Sequence, residues 1–221
     1  MIVAPAPWAL TGEAFVLVYQ FPKDFVNKNG FLAEYQIGNW SGGLGTVMCV
    51  NYESSNVGPY FELLFIPGTI NLKKMNFEKV KSGFSISKIY VSTQDSVING
   101  INNWGIPKEL ADFEWNKIDK NRTEIKVALN GIAFFSAIFK NKCFGFPINT
   151  SFIPLKIIQK IDTTIFLTKP KAKGKVSFVK IENLQIDANF FPKISDIRPI
   201  LASKISNFKM IFPEAIIENT I

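Results

Sequence analysis

Two ionisable residues stand in surroundings that would press chemistry on them. Glu62 is one carboxylate inside the otherwise apolar segment Tyr60-Phe-Glu-Leu-Leu-Phe-Ile66, and Lys108 follows Pro107 in Asn103-Trp-Gly-Ile-Pro-Lys-Glu-Leu-Ala111. Strand alternation would put Tyr60, Glu62 and Leu64 on one face and Phe61, Leu63 and Phe65 on the other. A carboxylate on such a face needs a partner. Pro107–Asp112 reads as a short helix with proline at its first position, which sets Lys108 at a helix N-terminus. The dipole there disfavours a cation, and Trp104, Ile106 and Phe113 are near enough in sequence to desolvate it. A lysine amine that is nucleophilic at neutral pH must fall from about 10.4 to about 7, a difference of about 4–5 kcal/mol. A surface helix end supplies at most about 1 kcal/mol. Burial must supply the rest, as an interior barrel site would.

Composition narrows the chemistry further. The chain has 221 residues and no histidine, so Ser–His–Asp and Cys–His nucleophiles, His-ligated zinc and HExxH helices are all excluded. A general acid or base must be Lys, Asp, Glu, Tyr, Cys or water. The two cysteines, Cys49 and Cys143, are too few for a disulfide scaffold or a four-thiolate metal site, and read as buried apolar groups. No acidic cluster has metal-ligand spacing, and no cofactor is implied. Net charge is +7, but only Arg122 and Arg198 are arginines, which fits nucleic-acid recognition poorly. The one dense basic stretch, Lys169–Lys175, reads as a solvated loop or an anion-attracting rim. Met1–Phe15 lacks a basic leader and meets Glu13 early, so it does not read as a signal peptide. The longest apolar run, Val127–Phe139, is too short to span a bilayer. A cytoplasmic protein is the expectation.

The elements that must position Lys108 and Glu62 are mostly strands. Ala14–Gln20, Thr46–Tyr52, Tyr60–Ile66 and Ile86–Thr93 are rich in β-branched and aromatic residues between Gly, Pro or Asn punctuation. Thr123–Leu129 and Ile132–Phe139 flank Asn130-Gly131, a hairpin signal. Ile161–Thr168 and Lys175–Ile186 read as a second pair around the lysine-rich loop, and Phe208–Ile217 as a final strand. Besides Pro107–Asp112, a helix within Lys193–Asn207 is expected despite Pro199. Ser41-Gly-Gly-Leu-Gly45 fits no phosphate-binding pattern and reads as a turn. The Asn39, Asn121 and Asn149 sequons carry little meaning without a secretory signal. No composition step divides the chain, and its 21 phenylalanines imply a broad aromatic interior. The expectation is one mainly β (β-rich α+β) domain over 1–221, an antiparallel barrel or sandwich with few short helices.

Ala6-Pro-Trp-Ala-Leu10, Val57-Gly-Pro-Tyr-Phe-Glu62, Lys88-Ile-Tyr-Val-Ser92 and above all Asn103–Ala111 resemble the acetoacetate decarboxylase superfamily in order and spacing. The resemblance runs over most of the chain and is strongest between about Pro5 and Trp115. It implies a closed, cone-like β-barrel, usually in an oligomer, with Lys108 as the Schiff-base lysine and Glu62 as the matching glutamate. Acetoacetate decarboxylase is itself the type example of a lysine activated by desolvation or a cationic neighbour. The implied chemistry is attack of Lys108 on a ketone, loss of water, and use of the protonated imine as an electron sink. Glu62 would move protons, and Tyr60, Trp104 and Glu109 would form the substrate pocket.

Three departures qualify what the resemblance implies. The decarboxylases follow the Schiff-base lysine with a second lysine, where this chain has Glu109; an acid within about 4–6 Å would raise Lys108 by about 1–3 units. Their site arginine falls at Gly12 and a further acid at Val47. Loss of the arginine removes the obvious clamp for a substrate carboxylate. Two readings follow: a lyase acting on a small or medium keto compound, by decarboxylation, aldol or dehydration chemistry, or a non-catalytic barrel that binds an apolar ligand or assists another enzyme. In the second, Lys108 is an ordinary helix-cap lysine and Glu62 a structural buried acid.

Overall fold

The computed structural model describes residues 1–73, 75, 77, 80–142, 145–149 and 155–219; Cys143 and positions 150 and 151 of the third sequon lie outside them. The first part of the chain forms β1 (Trp8–Tyr19), α1 (Lys23–Asn29), β2 (Trp40–Gly42), β3 (Gly45–Ser54), β4 (Tyr60–Ile66), β5 (Thr69–Asn71), β6 (Ser82–Phe84) and β7 (Lys88–Val91). There follow α2 (Gln94–Trp104), β8 (Glu109–Leu110), β9 (Asp112–Lys117), β10 (Arg122–Leu129), β11 (Ile132–Asn141) and β12 (Phe146–Asn149). The chain finishes with β13 (Ile157–Ile161), β14 (Thr164–Thr168), β15 (Lys171–Ile186), β16 (Leu201–Phe212) and β17 (Ile216–Asn219).

β1 is apolar on both faces, and a strand covered on both sides belongs at a sheet centre. It pairs antiparallel with β3 on one side and β16 on the other. The large sheet runs β8-β7-β4-β3-β1-β16-β15-β11-β10-β9, with β12 added to β15. Its two end strands are neighbours in sequence, joined through Ala111, whose N–H donates to the Val91 carbonyl at 3.0 Å. The sheet therefore curls until its edges nearly meet, which is the barrel that the family resemblance implies and one of the two architectures the strand pattern left open. A smaller sheet runs β17-β14-β13-β6-β5-β2.

Alternation along β4 separates two interiors. Leu63 and Phe65 enter a core with Phe15, Val47 and Phe139, which absorbs much of the phenylalanine content. Tyr60, Leu64 and Ile66 enter a second core on the opposite face with Trp8, Val50 and Trp104. The interior relevant to chemistry is the second one.

The Asn130-Gly131 hairpin forms with both residues at positive φ, 51° and 79°, as a two-residue primed turn requires. Several expected elements differ. Ile161–Thr168 and Lys175–Ile186 do not pair: β14 turns back on β13 and also pairs β17, while β15 joins β11 and β16. The lysine-rich stretch is strand from Lys171 onward rather than loop, because alternating lysines leave one face free for Ala172. The expected helix in Lys193–Asn207 is a 3-10 turn at Ile194–Asp196 and then β16; Pro199 ends any helix, and β16 finds partners on both sides. The final strand is two, β16 and β17, broken around Pro213.

Candidate active site

Glu62 and Lys108 reach the second core from different directions. Register fixes the first: Val50 lies opposite Glu62 and Tyr52 opposite Tyr60 between β3 and β4, so Glu62 is flanked by apolar and phenolic neighbours. Lys108 arrives through a crossover. Helix α2 is capped by Thr93, whose hydroxyl accepts from the Ser96 N–H at 3.4 Å, and ends at Gly105 in the left-handed region, φ 63°. After Pro107 the Lys108 N–H closes a tight turn on the Ile106 carbonyl at 2.8 Å, and β8 then pairs parallel to β7. Parallel neighbours need such a crossover, commonly a helix.

The expected helix at Pro107–Asp112 is therefore absent. Gly105 and Pro107 close the preceding helix, the usual C-terminal pairing of a left-handed glycine with a following proline. Lys108 lies beyond a helix C-terminus, so the dipole gives no downward pressure on its pKa.

The Lys108 ammonium uses all three of its donors. It lies 3.0 Å from Glu62 Oε2, donates to Ser96 Oγ at 3.0 Å and donates to the Tyr60 hydroxyl at 3.4 Å, with the Tyr60 ring centroid 5.0 Å away. The Tyr52 hydroxyl donates to the other carboxylate oxygen at 3.2 Å. The pair is buried, with side chains 4% and 5% exposed. Burial presses the Lys108 ammonium downward, but the Glu62 charge and the hydrogen bonds that the ammonium donates to its partners outweigh it, and the pKa ends above its ordinary value. The expectation that burial lowers Lys108 toward a neutral amine is thus corrected in direction: beside Glu62 the ammonium form is favoured. Burial also raises both phenols, Tyr60 to about 12 and Tyr52 well above its ordinary value, so both keep their protons near neutral pH.

The pair faces a cavity of about 310 Å³. Its walls come from β1, β3, β4, α2 and β16, with residues such as Leu10, Ala14, Met48, Leu64, Trp104 and Phe208. Among the described lining residues the only charged side chains are Glu62, Lys108 and Lys173, and Lys173 is exposed.

Of the five residues singled out in the sequence, Lys108, Glu62, Tyr60 and Trp104 line this cavity together. Trp104 is oriented by donating its indole N–H to the Pro213 carbonyl at 2.7 Å. Glu109 is elsewhere: it is the first residue of β8, half exposed, and pairs with Lys88 at 2.6 Å. Consecutive residues leave an extended chain on opposite sides, so Glu109 is absent from the cavity lining despite adjoining Lys108.

Gly12 sits at a β-bulge with φ 157°, and a Cβ there would lie 1.9 Å from the Asn51 carbonyl oxygen, so no side chain fits without a backbone shift. Val47 is in the phenylalanine-rich core on the other face of β3. Neither departure leaves a gap in this cavity.

Sequence reasoning missed Ser96, Tyr52 and Gly100. Ser96 and Gly100 are four apart and share a helix face. A Cβ on Gly100 would stand 2.6 Å from Lys108 Cδ and 2.8 Å from Cε, so the missing side chain makes room for the lysine stem. Gly100→Ala removes a helix-interior glycine penalty of about 1 kcal/mol but obstructs the amine. We expect a folded protein with at least about a tenfold loss of borohydride-trapped carbonyl adduct at Lys108, since misplacement of about 1 Å can cost about a hundredfold. Thermal melts and intact-mass measurement of the adduct check both halves.

Among the described residues no group of three or more Cys, Asp or Glu side chains is placed to hold a metal, and no helix is long and apolar enough to cross a membrane.

A family model described as acetoacetate decarboxylase matches residues 5–185. Solved structures with similar folds include an acetoacetate decarboxylase at 14% identity and TM-score 0.71, covering 98% of this chain and 91% of that one. Another, from Legionella pneumophila, is 12% identical with TM-score 0.66, covering 97% and 88%. The enduracididine biosynthesis enzyme MppR, complexed with the condensation product of pyruvate and imidazole 4-carboxaldehyde, is 9% identical with TM-score 0.67, covering 99% and 91%. At these identities the likeness carries the fold alone. A comparison with curated protein sequences returns no match.

Proposed function

The chain belongs to the acetoacetate decarboxylase family, and from that premise we propose that it is a lyase whose Lys108 forms a Schiff base with a keto substrate. The observation that carries this reading is one buried amine with an acid at 3.0 Å, facing an otherwise apolar cavity. Each step keeps the site's charge constant. A proton passes from the Lys108 ammonium to the Glu62 carboxylate, giving a neutral amine and a neutral acid. The amine attacks the carbonyl carbon, and its N–H proton moves to the oxygen to form a carbinolamine. Glu62 returns its proton to that hydroxyl, water leaves, and a protonated imine remains beside the carboxylate. The imine then accepts the electron pair of an adjacent breaking bond, forming an enamine. Ser96 and Tyr60, which hold the ammonium in the free protein, would hold the nitrogen in position. General acid–base help of this kind typically contributes about 10²–10⁴ in rate.

A second reading has one observation in its favour. The ion pair that raises Lys108 also suits a purely structural pair under an apolar ligand site. Borohydride reduction separates the two. Incubation with acetoacetate and a panel of 2-keto acids, 3-keto acids and simple ketones should give a reduced adduct that peptide mass spectrometry maps to Lys108. Absence of an adduct there with every carbonyl compound would reject the Schiff-base reading.

A further inference from the structure

The polarity of the cavity restricts the substrate more narrowly than the family does. Its buried end already balances one positive against one negative charge, with Tyr52 and Tyr60 hydroxyls filling the remaining contacts. A 2-keto or 3-keto acid would bring a second carboxylate within a few ångströms of Glu62, and among the described lining residues no buried cation is left to meet it. Burying an unpaired ion is strongly unfavourable. Gly12 leaves no side chain from β1 to supply one.

The rest of the cavity is long and apolar. The register runs from Glu62 on β4 through Val50 on β3 and Ala14 on β1 to Ile205 on β16, all of which line the cavity. Three strand spacings of about 4.8 Å make this roughly 14 Å along the sheet. Leu10, Met48, Met210 and Ala172 line the intervening space, and the exposed Lys173 on β15 lies at the far side. A volume of about 310 Å³ suits an elongated molecule better than a three- or four-carbon acid.

We infer that the substrate is a medium-chain aliphatic ketone or aldehyde that enters carbonyl first, with no anionic group beside that carbonyl. Its covalent step rests on the Schiff-base reading above; its binding preference does not. The imine would then promote cleavage or rearrangement of a neutral carbonyl compound, such as retro-aldol release of an aldehyde, rather than loss of carbon dioxide. In that retro-aldol step, on a member of the class that carries a β-hydroxyl, the bond between the α and β carbons breaks and the β carbon leaves as the aldehyde. The electrons of that bond go to the iminium, and the β-hydroxyl proton goes to Glu62.

The test uses the intact protein with acetone, 2-pentanone, 2-heptanone, 2-nonanone, pyruvate and acetoacetate. Calorimetry measures binding, and borohydride reduction measures adduct at Lys108. Affinity should rise about fourfold per methylene, the equivalent of about 0.8 kcal/mol, giving at least a hundredfold between acetone and 2-nonanone. Pyruvate and acetoacetate should bind no better than acetone. Ala14→Phe, which puts a ring into the apolar run, should flatten the chain-length dependence. A flat series, tighter binding of either keto acid, or an Ala14→Phe series as steep as the parent would overturn the substrate class. Chain-dependent binding without any adduct would uphold that class and reject the Schiff-base reading instead.

Discussion

Lys108→Met is expected to abolish every borohydride-trapped adduct and to destabilise the fold by about 3–5 kcal/mol. The two effects have separate origins. Loss of the amine removes the one buried amine among the described lining residues, leaving only the exposed Lys173. The stability loss comes from Glu62, which is 5% exposed and would keep only the Tyr52 hydroxyl as a partner. Removing one member of a buried ion pair strands the other charge, and about 3–5 kcal/mol is the usual cost. Replacing both charges by groups of similar shape is often neutral or stabilising. The double variant Lys108→Met, Glu62→Gln should therefore recover most of the lost stability in urea titrations and still form no adduct. A double variant as unstable as Lys108→Met alone would mean that the pair contributes through packing rather than charge. A residual adduct in either variant would place the imine on another lysine.

The site was legible where local chemistry decides and illegible where tertiary pairing does. One carboxylate in an apolar alternating strand is enough to say that Glu62 enters an interior and wants a partner, and β4 behaves so. Of the three apolar residues expected around Lys108, Trp104 and Ile106 line its cavity and Phe113 packs against the other core, and the element is not the expected helix. Pro107 opens helices and also follows helix ends, and only the left-handed Gly105 and the pairing of β8 with β7 decide between them. The same pairing sends Glu109 outward to Lys88, so the feature that most disturbed the sequence reading is absent from the cavity. Ser96 and Tyr52 were missed because each makes sense only across a fold: Ser96 meets Lys108 after the crossover, and Tyr52 meets Glu62 by strand register. The lysine-rich stretch failed for a related reason. Alternating lysines resemble a solvated loop until neighbouring strands take up their backbone hydrogen bonds, and β16 and β12 do so. In a +7 chain with 21 phenylalanines, one face of β4 thus joins an aromatic core that stabilises the barrel and the other joins a core that surrounds the Lys108–Glu62 pair.

Glu62→Gln should separate the two duties assigned to the carboxylate, holding a proton on Lys108 and moving it. Burial lowers the Lys108 pKa, and Glu62 is the leading influence that raises it again. At the ordinary lysine value of about 10.4, roughly one amine in a few thousand is neutral at pH 7, and the native pair lies on the less reactive side of that. Without the carboxylate charge, burial is left largely unopposed, and the midpoint of the pH profile for adduct formation should move to lower pH. Turnover on the true substrate should nevertheless fall by about 10²–10⁴, because the carbinolamine hydroxyl loses its acid. The linkage has a definite sign. A lysine raised in the folded state stabilises fully below its unfolded value, and that contribution is lost as pH rises through the folded value. The parent protein should accordingly keep the pair's stabilisation throughout the neutral range and lose it only in the alkaline range above about 10.4. Glu62→Gln, with its lysine lowered, should instead gain stability as pH rises through the folded value toward the unfolded one. Opposite slopes of urea midpoint against pH, measured between neutral and alkaline conditions, are the expected signature. A Glu62→Gln profile that traps at the parent's pH would mean that the amine is governed by Ser96 and Tyr60 instead, and Glu62 would then keep only its role in proton transfer.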